Sequence, residues 1–223
     1  MYNRFDNIDL SPYIDQRNEE LFQSLCDDIF DIYLTEQKDY TCYFDGMRQI
    51  IAVSSSTVNP AFFAHELLHV KIHTVDNAFY IYDWQQTKLS KRTYNHLVNT
   101  LEHIIMLPAF LDLGYPEDSF LSNGNQRLIS IKEIESHNHC LDSIIADCCT
   151  VLGNCLSFFN YQEEREYLKS NFEDCYIHVN NIIIAWDKYM SFNGVWTRFY
   201  YNGLLSFLQG IKQLFDAKLT ENK

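Results

Sequence analysis

The segment NPAFFAHELLHVKIH, residues 59 to 73, contains the pattern His-Glu-x-x-His. Residues four apart on a helix lie about 40° apart around its axis, so His65 and His69 present their imidazoles on one face, where one metal ion can bind both. Glu66 is rotated by about 100° from His65, which places its carboxylate beside such an ion rather than on it. We therefore predict that His65 and His69 are metal ligands and that Glu66 is a general base.

These residue types suit hydrolysis by an activated water. Two imidazoles and one further protein ligand are a common donor set for Zn²⁺, which lowers the pKa of a coordinated water toward neutrality. A carboxylate beside the ion can accept that water's proton, and the resulting hydroxide can attack a polarised carbonyl. The alternative is a buried or half-buried helix whose polar residues have no joint role.

A zinc site of this kind needs a third protein ligand, and the segment NHLVNTLEH, residues 95 to 103, offers two candidates. Glu102 borders the apolar stripe of the predicted helix, so its carboxylate can point into a cleft. His103 lies on the opposite, polar face, which would bring it forward if that face covers the cleft. Both residues remain candidates for the third ligand, whereas His73 is predicted to lie on the helix face without binding metal.

The motif resembles that of the zincin metallopeptidases, and the likeness covers mainly residues 59 to 73. It implies a zincin-like domain that binds zinc through His65 and His69, uses Glu66 as general base and acid, and acts on a protein or peptide substrate. The segment HELLHVKIH also looks like the helix of the ImmA/IrrE-type metallopeptidases, which are cytoplasmic enzymes linked to repressor cleavage.

The elements that must position these residues are mainly helical. Asn59 followed by Pro60 is typical of a helix start, and Gly114 is typical of a helix end. Apolar residues at helical spacing predict helices over residues 16 to 37, 60 to 74, 91 to 113 with a kink at Pro108, 131 to 159 as one or two helices, 165 to 190, and 196 to 219.

One stretch, YTCYFDGMRQIIAVSSS, favours β structure instead. Asp45-Gly46 separates two runs rich in aromatic and β-branched residues, which predicts a hairpin followed by an edge strand at residues 48 to 53. We expect a mainly α fold with a small β-hairpin or sheet (α+β), formed by a single zincin-like helical domain over residues 1–223.

Composition limits the classes of partner. The chain carries 30 acidic and 17 basic residues, a net charge of -13, and no basic cluster that could neutralise a row of phosphates. We therefore expect no nucleic acid partner. The N-terminal sequence has no apolar signal segment, and no uncharged apolar run reaches the roughly 18 residues of a membrane span, so we expect a cytoplasmic protein with no membrane partner.

Other residues that can bind metals show no spacing of equal strength. The seven cysteines include no C-x-x-C pair, and Cys148, Cys149 and Cys155 lie in an apolar helical pattern that predicts core packing. His137, His139 and Asp142 could supply a metal ligand, but capping of the next helix is the favoured interpretation.

The expected function is that of a zinc-dependent hydrolase, a cytoplasmic metallopeptidase that uses a metal-activated water with Glu66 as general base. The alternative is a catalytically inactive zincin-like binding or regulatory protein that presents an acidic, aromatic surface to a protein partner.

Overall fold

The computed structural model describes residues 8–25, 30–44, 48–74, 90–121, 129–137 and 140–190. Its helices are α1 (Glu19–Leu25), α2 (Pro60–Thr74), α3 (Lys91–Asp112), α4 (Ile131–Ser136), α5 (Leu141–Leu152), α6 (Gln162–Asn171) and α7 (Glu173–Met190). Its strands are β1 (Phe30–Thr35), β2 (Thr41–Phe44) and β3 (Gln49–Ser54). The predicted mainly helical α+β fold with a small sheet is confirmed. The helix predicted over residues 196 to 219 lies outside the described residues.

The chain divides into two compact units, which are described separately below. Unit 1 comprises Met1–Ala78 and Ile105–Arg127, and unit 2 comprises Phe79–Ile104 and Leu128–Lys223. The single domain expected over the whole chain stays a prediction. In the part of the chain that the structure describes, no helix combines the length and apolar character needed to cross a membrane.

The sheet of unit 1 has the strand order β1-β3-β2, with β1 parallel and β2 antiparallel to β3. The antiparallel pair confirms the predicted hairpin strands, while the Asp45-Gly46 turn itself lies outside the described residues. The prediction that residues 48 to 53 form an edge strand is wrong, because β3 is the central strand. Five of its six residues are buried, as expected of a strand that is covered on both faces.

The helix predicted over residues 16 to 37 is also wrong in its second half. The helical spacing of Leu21, Phe22 and Leu25 belongs to α1, whereas Phe30–Thr35 forms β1. The run FDIYLT is rich in residues that favour strands, and all six of its residues pair with β3. The pairing partner is distant in sequence, so local apolar spacing could not reveal it.

Helix α2 packs against α1, β2 and β3 within unit 1. On one side, the fully buried ring of Phe63 lies 6.2 Å from the ring of Tyr13 and 5.9 Å from that of Phe22. Asn18, also fully buried, donates hydrogen bonds through Nδ2 to the carbonyl oxygens of Tyr13 and Pro60, each 3.0 Å long. These contacts fix the position of α2 against the N-terminal segment of the unit.

The start of α2 is defined by hydrogen bonds. Asn59 accepts a bond from the backbone N–H of Ala61 through its side chain, at 2.9 Å, and so satisfies one donor of the first turn. The Tyr40 hydroxyl donates to the carbonyl oxygen of Thr57 at 2.6 Å and accepts from the N–H of Asn59 at 3.1 Å. The predicted helix over residues 60 to 74 is confirmed.

The end of α3 is equally well defined. Gly114 has φ of +87°, a left-handed conformation that glycine adopts without steric cost, so the chain turns directly after Asp112 as predicted. The next residue, Tyr115, is buried and donates a 2.9 Å hydrogen bond from its hydroxyl to Asp15 Oδ1. The guanidinium of Arg17 lies 3.9 Å above the Tyr115 ring. This turn is thereby held against the N-terminal segment of unit 1.

In unit 2, the region from residue 131 to 159 forms two helices, α4 and α5, in agreement with the prediction of one or two. Helix α4 begins with a capping box in which Ser130 and Glu133 bond each other's backbone N–H groups. The helix predicted over residues 165 to 190 is instead divided into α6 and α7 at Phe172.

A histidine–aspartate pair connects α4 to α5. His137, which ends α4, lies with Nδ1 2.9 Å from Oδ2 of Asp147, whose carboxylate is buried in α5. Burial raises the pKa of Asp147, and the hydrogen bond from His137 opposes that shift. The imidazole therefore offsets part of the cost of burying this carboxylate.

Substitution of Gly153 should destabilise unit 2. A Cβ at this position would overlap Cγ2 of Thr100 and lie 2.7 Å from the carbonyl oxygen of Cys149. We expect Gly153→Ala to lower the free energy of unfolding by about 1–3 kcal/mol, measured by urea denaturation with circular dichroism. Thr100→Ser removes the overlapping methyl group, so the double variant should recover part of the loss. No recovery would show that the Thr100 contact is not the cause.

Substitution of His137 should expose the cost of the buried carboxylate. We expect His137→Ala to lower the free energy of unfolding by about 1–3 kcal/mol at pH 7, since Asp147 then loses its hydrogen bond from the imidazole. Adding Asp147→Asn should restore stability at pH 7, because an uncharged amide costs less to bury.

The pH dependence supplies the control for this pair of variants. Since the pKa of Asp147 is raised in the folded state, its protonated form is stabilised by folding, and this stabilisation is lost as the pH rises through the folded-state pKa. The stability gap between His137→Ala and the double variant should therefore narrow as the pH falls from 7 toward 4. A gap independent of pH in urea titrations would contradict this assignment.

Candidate metal centre

The three residues of the His-Glu-x-x-His motif are buried on α2. His65 and Glu66 are each 4% exposed and His69 is 7% exposed. The Nε2 atoms of the two histidines lie 3.1 Å apart. Two ligand atoms of a tetrahedral zinc ion lie about 3.3 Å apart, given zinc–nitrogen distances near 2.0–2.1 Å. The two imidazoles thus have the separation that one shared ion requires.

The imidazole of His65 contacts two other rings. Its ring centroid is 4.9 Å from that of His69, at an interplanar angle of 70°, and 4.7 Å from that of Phe120, at 64°. Phe120 is fully buried and directly follows a short 3₁₀ turn, Glu117–Ser119. The His65 imidazole therefore makes edge-to-face contacts with both rings.

His65 and His69 belong to a set of histidine and glutamate side chains that could bind a metal ion. Both motif histidines lie on α2 in unit 1. The two candidate third ligands, Glu102 and His103, lie on the part of α3 that belongs to unit 2, where Glu102 is buried and His103 is half-buried.

The donor chemistry of these side chains fits a transition metal. Imidazole nitrogens and a carboxylate are ligands that Zn²⁺ accepts, and other divalent metals accept them as well. A set of histidine and glutamate residues in this protein could therefore bind a metal ion. The predicted place of Glu66 beside an ion stays a prediction.

The other residues with potential metal-binding chemistry have structural surroundings. His137 pairs with Asp147, and Asp142 accepts a 3.0 Å hydrogen bond from the hydroxyl of Thr93. His139 lies outside the described residues. Cys148 and Cys149 are fully buried, as the apolar pattern predicted, whereas Cys155 lies after the end of α5 and is only partly buried. Burial raises the pKa of Cys149 to about 12. Such a thiol stays protonated and unreactive at neutral pH.

One neighbour of the motif was not predicted from the sequence. Phe120 lies more than fifty positions after His65 in sequence, and no local pattern connects the two rings. The expectation that His73 lies on the helix face without binding metal stays a prediction.

The chain matches no model of a known protein family, no curated protein and no solved structure. Its function must therefore be inferred from the residues of the site themselves.

Proposed function

We propose that the protein is a zinc-dependent hydrolase that cleaves peptide bonds. The observation that carries this proposal is the 3.1 Å separation of the two Nε2 atoms of His65 and His69 on a helix that also buries Glu66. Helical geometry keeps the two imidazoles on one side and the carboxylate at their edge, so ligand and base are separate residues.

The roles of the three side chains follow from their chemistry. His65 and His69 would hold the ion through their Nε2 atoms, because these atoms face one another. When bound, zinc supplies Lewis acidity, which polarises a substrate carbonyl and makes water a better nucleophile. A carboxylate oxygen of Glu66 accepts the proton of the attacking water and can pass it to the leaving amine.

We propose that the third ligand is one of two residues of α3, Glu102 or His103. A carboxylate and an imidazole are both ligands that zinc accepts. A zinc ion held by three protein ligands would retain a coordination position for water or substrate, which is the requirement of a catalytic site.

The peptide bond is favoured over a phosphate ester as the substrate. An amide is neutral and needs both a polarised carbonyl and an activated water, which this set of residues can provide. A phosphate ester would need cationic side chains to bind it, and the chain has a net charge of -13.

Metal analysis tests the ligands. We expect the purified protein to bind about one equivalent of zinc, and we expect His65→Ala and His69→Ala to lose it, measured by elemental analysis after dialysis. His96→Ala is the matched control, since His96 is exposed on α3 and bonds the hydroxyl of Thr150 at 2.9 Å. Wild-type protein that binds no zinc, or a His65→Ala variant that retains it, would overturn the proposal.

The same measurement decides the third ligand. We expect one of the two variants His103→Ala and Glu102→Gln to weaken zinc binding at least tenfold and the other to weaken it much less, since only one of them removes the third ligand. Unchanged zinc binding in both variants would exclude both residues as the third ligand.

Glu66→Gln tests catalysis separately from metal binding. The variant should keep its zinc and lose about 10²–10⁴-fold in hydrolysis rate, because glutamine cannot accept a proton. The assay is cleavage of a quenched fluorescent peptide library by zinc-loaded protein. Zinc retention together with an unchanged rate would exclude Glu66 as the base. Zinc retention without hydrolysis by the wild type would instead support the catalytically inactive binding or regulatory protein.

A further inference from the structure

Phe120 contacts the first ligand of the proposed metal site. Its ring lies edge-to-face against the imidazole of His65, with the centroids 4.7 Å apart, and it is fully buried. The imidazole of His69 is the second ring in contact with His65, with centroids 4.9 Å apart. The His65 ring thus contacts both a fixed apolar ring and the proposed second ligand.

The position of Phe120 is itself fixed by its neighbours in unit 1. Its backbone N–H donates a 3.1 Å hydrogen bond to the carbonyl oxygen of Glu117, which closes the 3₁₀ turn before it. Its ring lies 5.1 Å from that of Phe110, and Phe110 stacks on Tyr115 at 5.2 Å. Since the hydroxyl of Tyr115 bonds to Asp15, this row of rings ends at a hydrogen bond.

A fixed ring beside an imidazole restricts the side-chain rotation of that imidazole. His65 on an unconstrained helix could adopt several rotamers, and only some of them direct Nε2 toward His69. A rotamer fixed before the ion arrives reduces the conformational entropy that binding must otherwise overcome. An apolar neighbour also keeps water from competing for the same space.

We propose that Phe120 is a positioning residue that holds the His65 imidazole with its Nε2 atom toward His69, and thereby increases the affinity of the site for zinc. The effect on zinc affinity rests on the proposed function, whereas the effect on the orientation of the His65 imidazole does not. Phe120 acts through His65 and takes no part in the chemistry itself.

The test compares Phe120→Leu with Phe110→Leu. Both phenylalanines are fully buried in the same row of rings, and Phe110 makes its ring contacts with Phe120 and Tyr115. Leucine preserves an apolar side chain at either position but removes the aromatic ring. Urea denaturation of both variants measures the general cost of the substitution, so that an effect on His65 can be separated from an effect on folding.

The first readout uses metal-free protein and nuclear magnetic resonance of the imidazole C–H groups. The His65 signals, identified by their absence in His65→Gln, should lose the ring-current shift of Phe120 and broaden in Phe120→Leu, while Phe110→Leu should leave them nearly unchanged. Unchanged His65 signals in Phe120→Leu would overturn the inference, whether or not the protein binds zinc.

The second readout is zinc affinity, measured by competition with a chelator. We expect Phe120→Leu to weaken binding about three- to tenfold and Phe110→Leu less than about twofold, in proportion to the usual strength of one aromatic contact. Equal losses in the two variants would also overturn the inference. If the wild type binds no zinc, the proposed function fails, and the resonance measurement alone decides the role of Phe120.

Discussion

The burial of three polar side chains on one helix is the constraint on which unit 1 depends. His65, Glu66 and His69 lie on the buried side of α2, and polar groups cost free energy when they are removed from water without partners. The Nε2 atoms of His65 and His69 lie 3.1 Å apart, so each imidazole is a polar partner of the other. A helix built only for packing would carry apolar residues at these positions, so their presence favours a chemical role over a structural one.

The rest of unit 1 places this helix by two kinds of interaction. Hydrogen bonds of Tyr40 and Asn59 define where the helix begins, and the contacts of Phe63 with the N-terminal segment define its rotation. The turn that follows α3 places the ring of Phe120 in contact with the imidazole of His65. Directional bonds therefore fix the end of the helix, whereas ring packing fixes the side chains that extend from it.

A separation of roles follows from this placement. The residues that can bind metal face one another, and the carboxylate of Glu66 is offset around the helix from both of them. The hydrolysis that we propose needs this offset, because a base that also bound the ion would have less capacity to accept a proton. Cys148, Cys149 and Cys175 are buried with raised pKa values, so these three thiols stay protonated at neutral pH and add no competing nucleophile.

Local sequence was sufficient for features that depend on neighbours a few residues apart. The His-Glu-x-x-His spacing, the Asn59-Pro60 helix start and the Gly114 helix end were all predictable, because each arises from helix geometry or from backbone conformation at a single residue. The mainly helical fold class followed from the same periodicity.

Tertiary structure decided the features that depend on distant partners. Residues 30 to 35 continue a helical apolar spacing, yet they form β1 because six residues of β3 are available to pair with them. The contact of Phe120 with His65 likewise joins residues far apart in the chain. The sequence thus determined which groups could do the chemistry, whereas packing alone decided which of them meet, because contact between distant residues is a property of the folded chain.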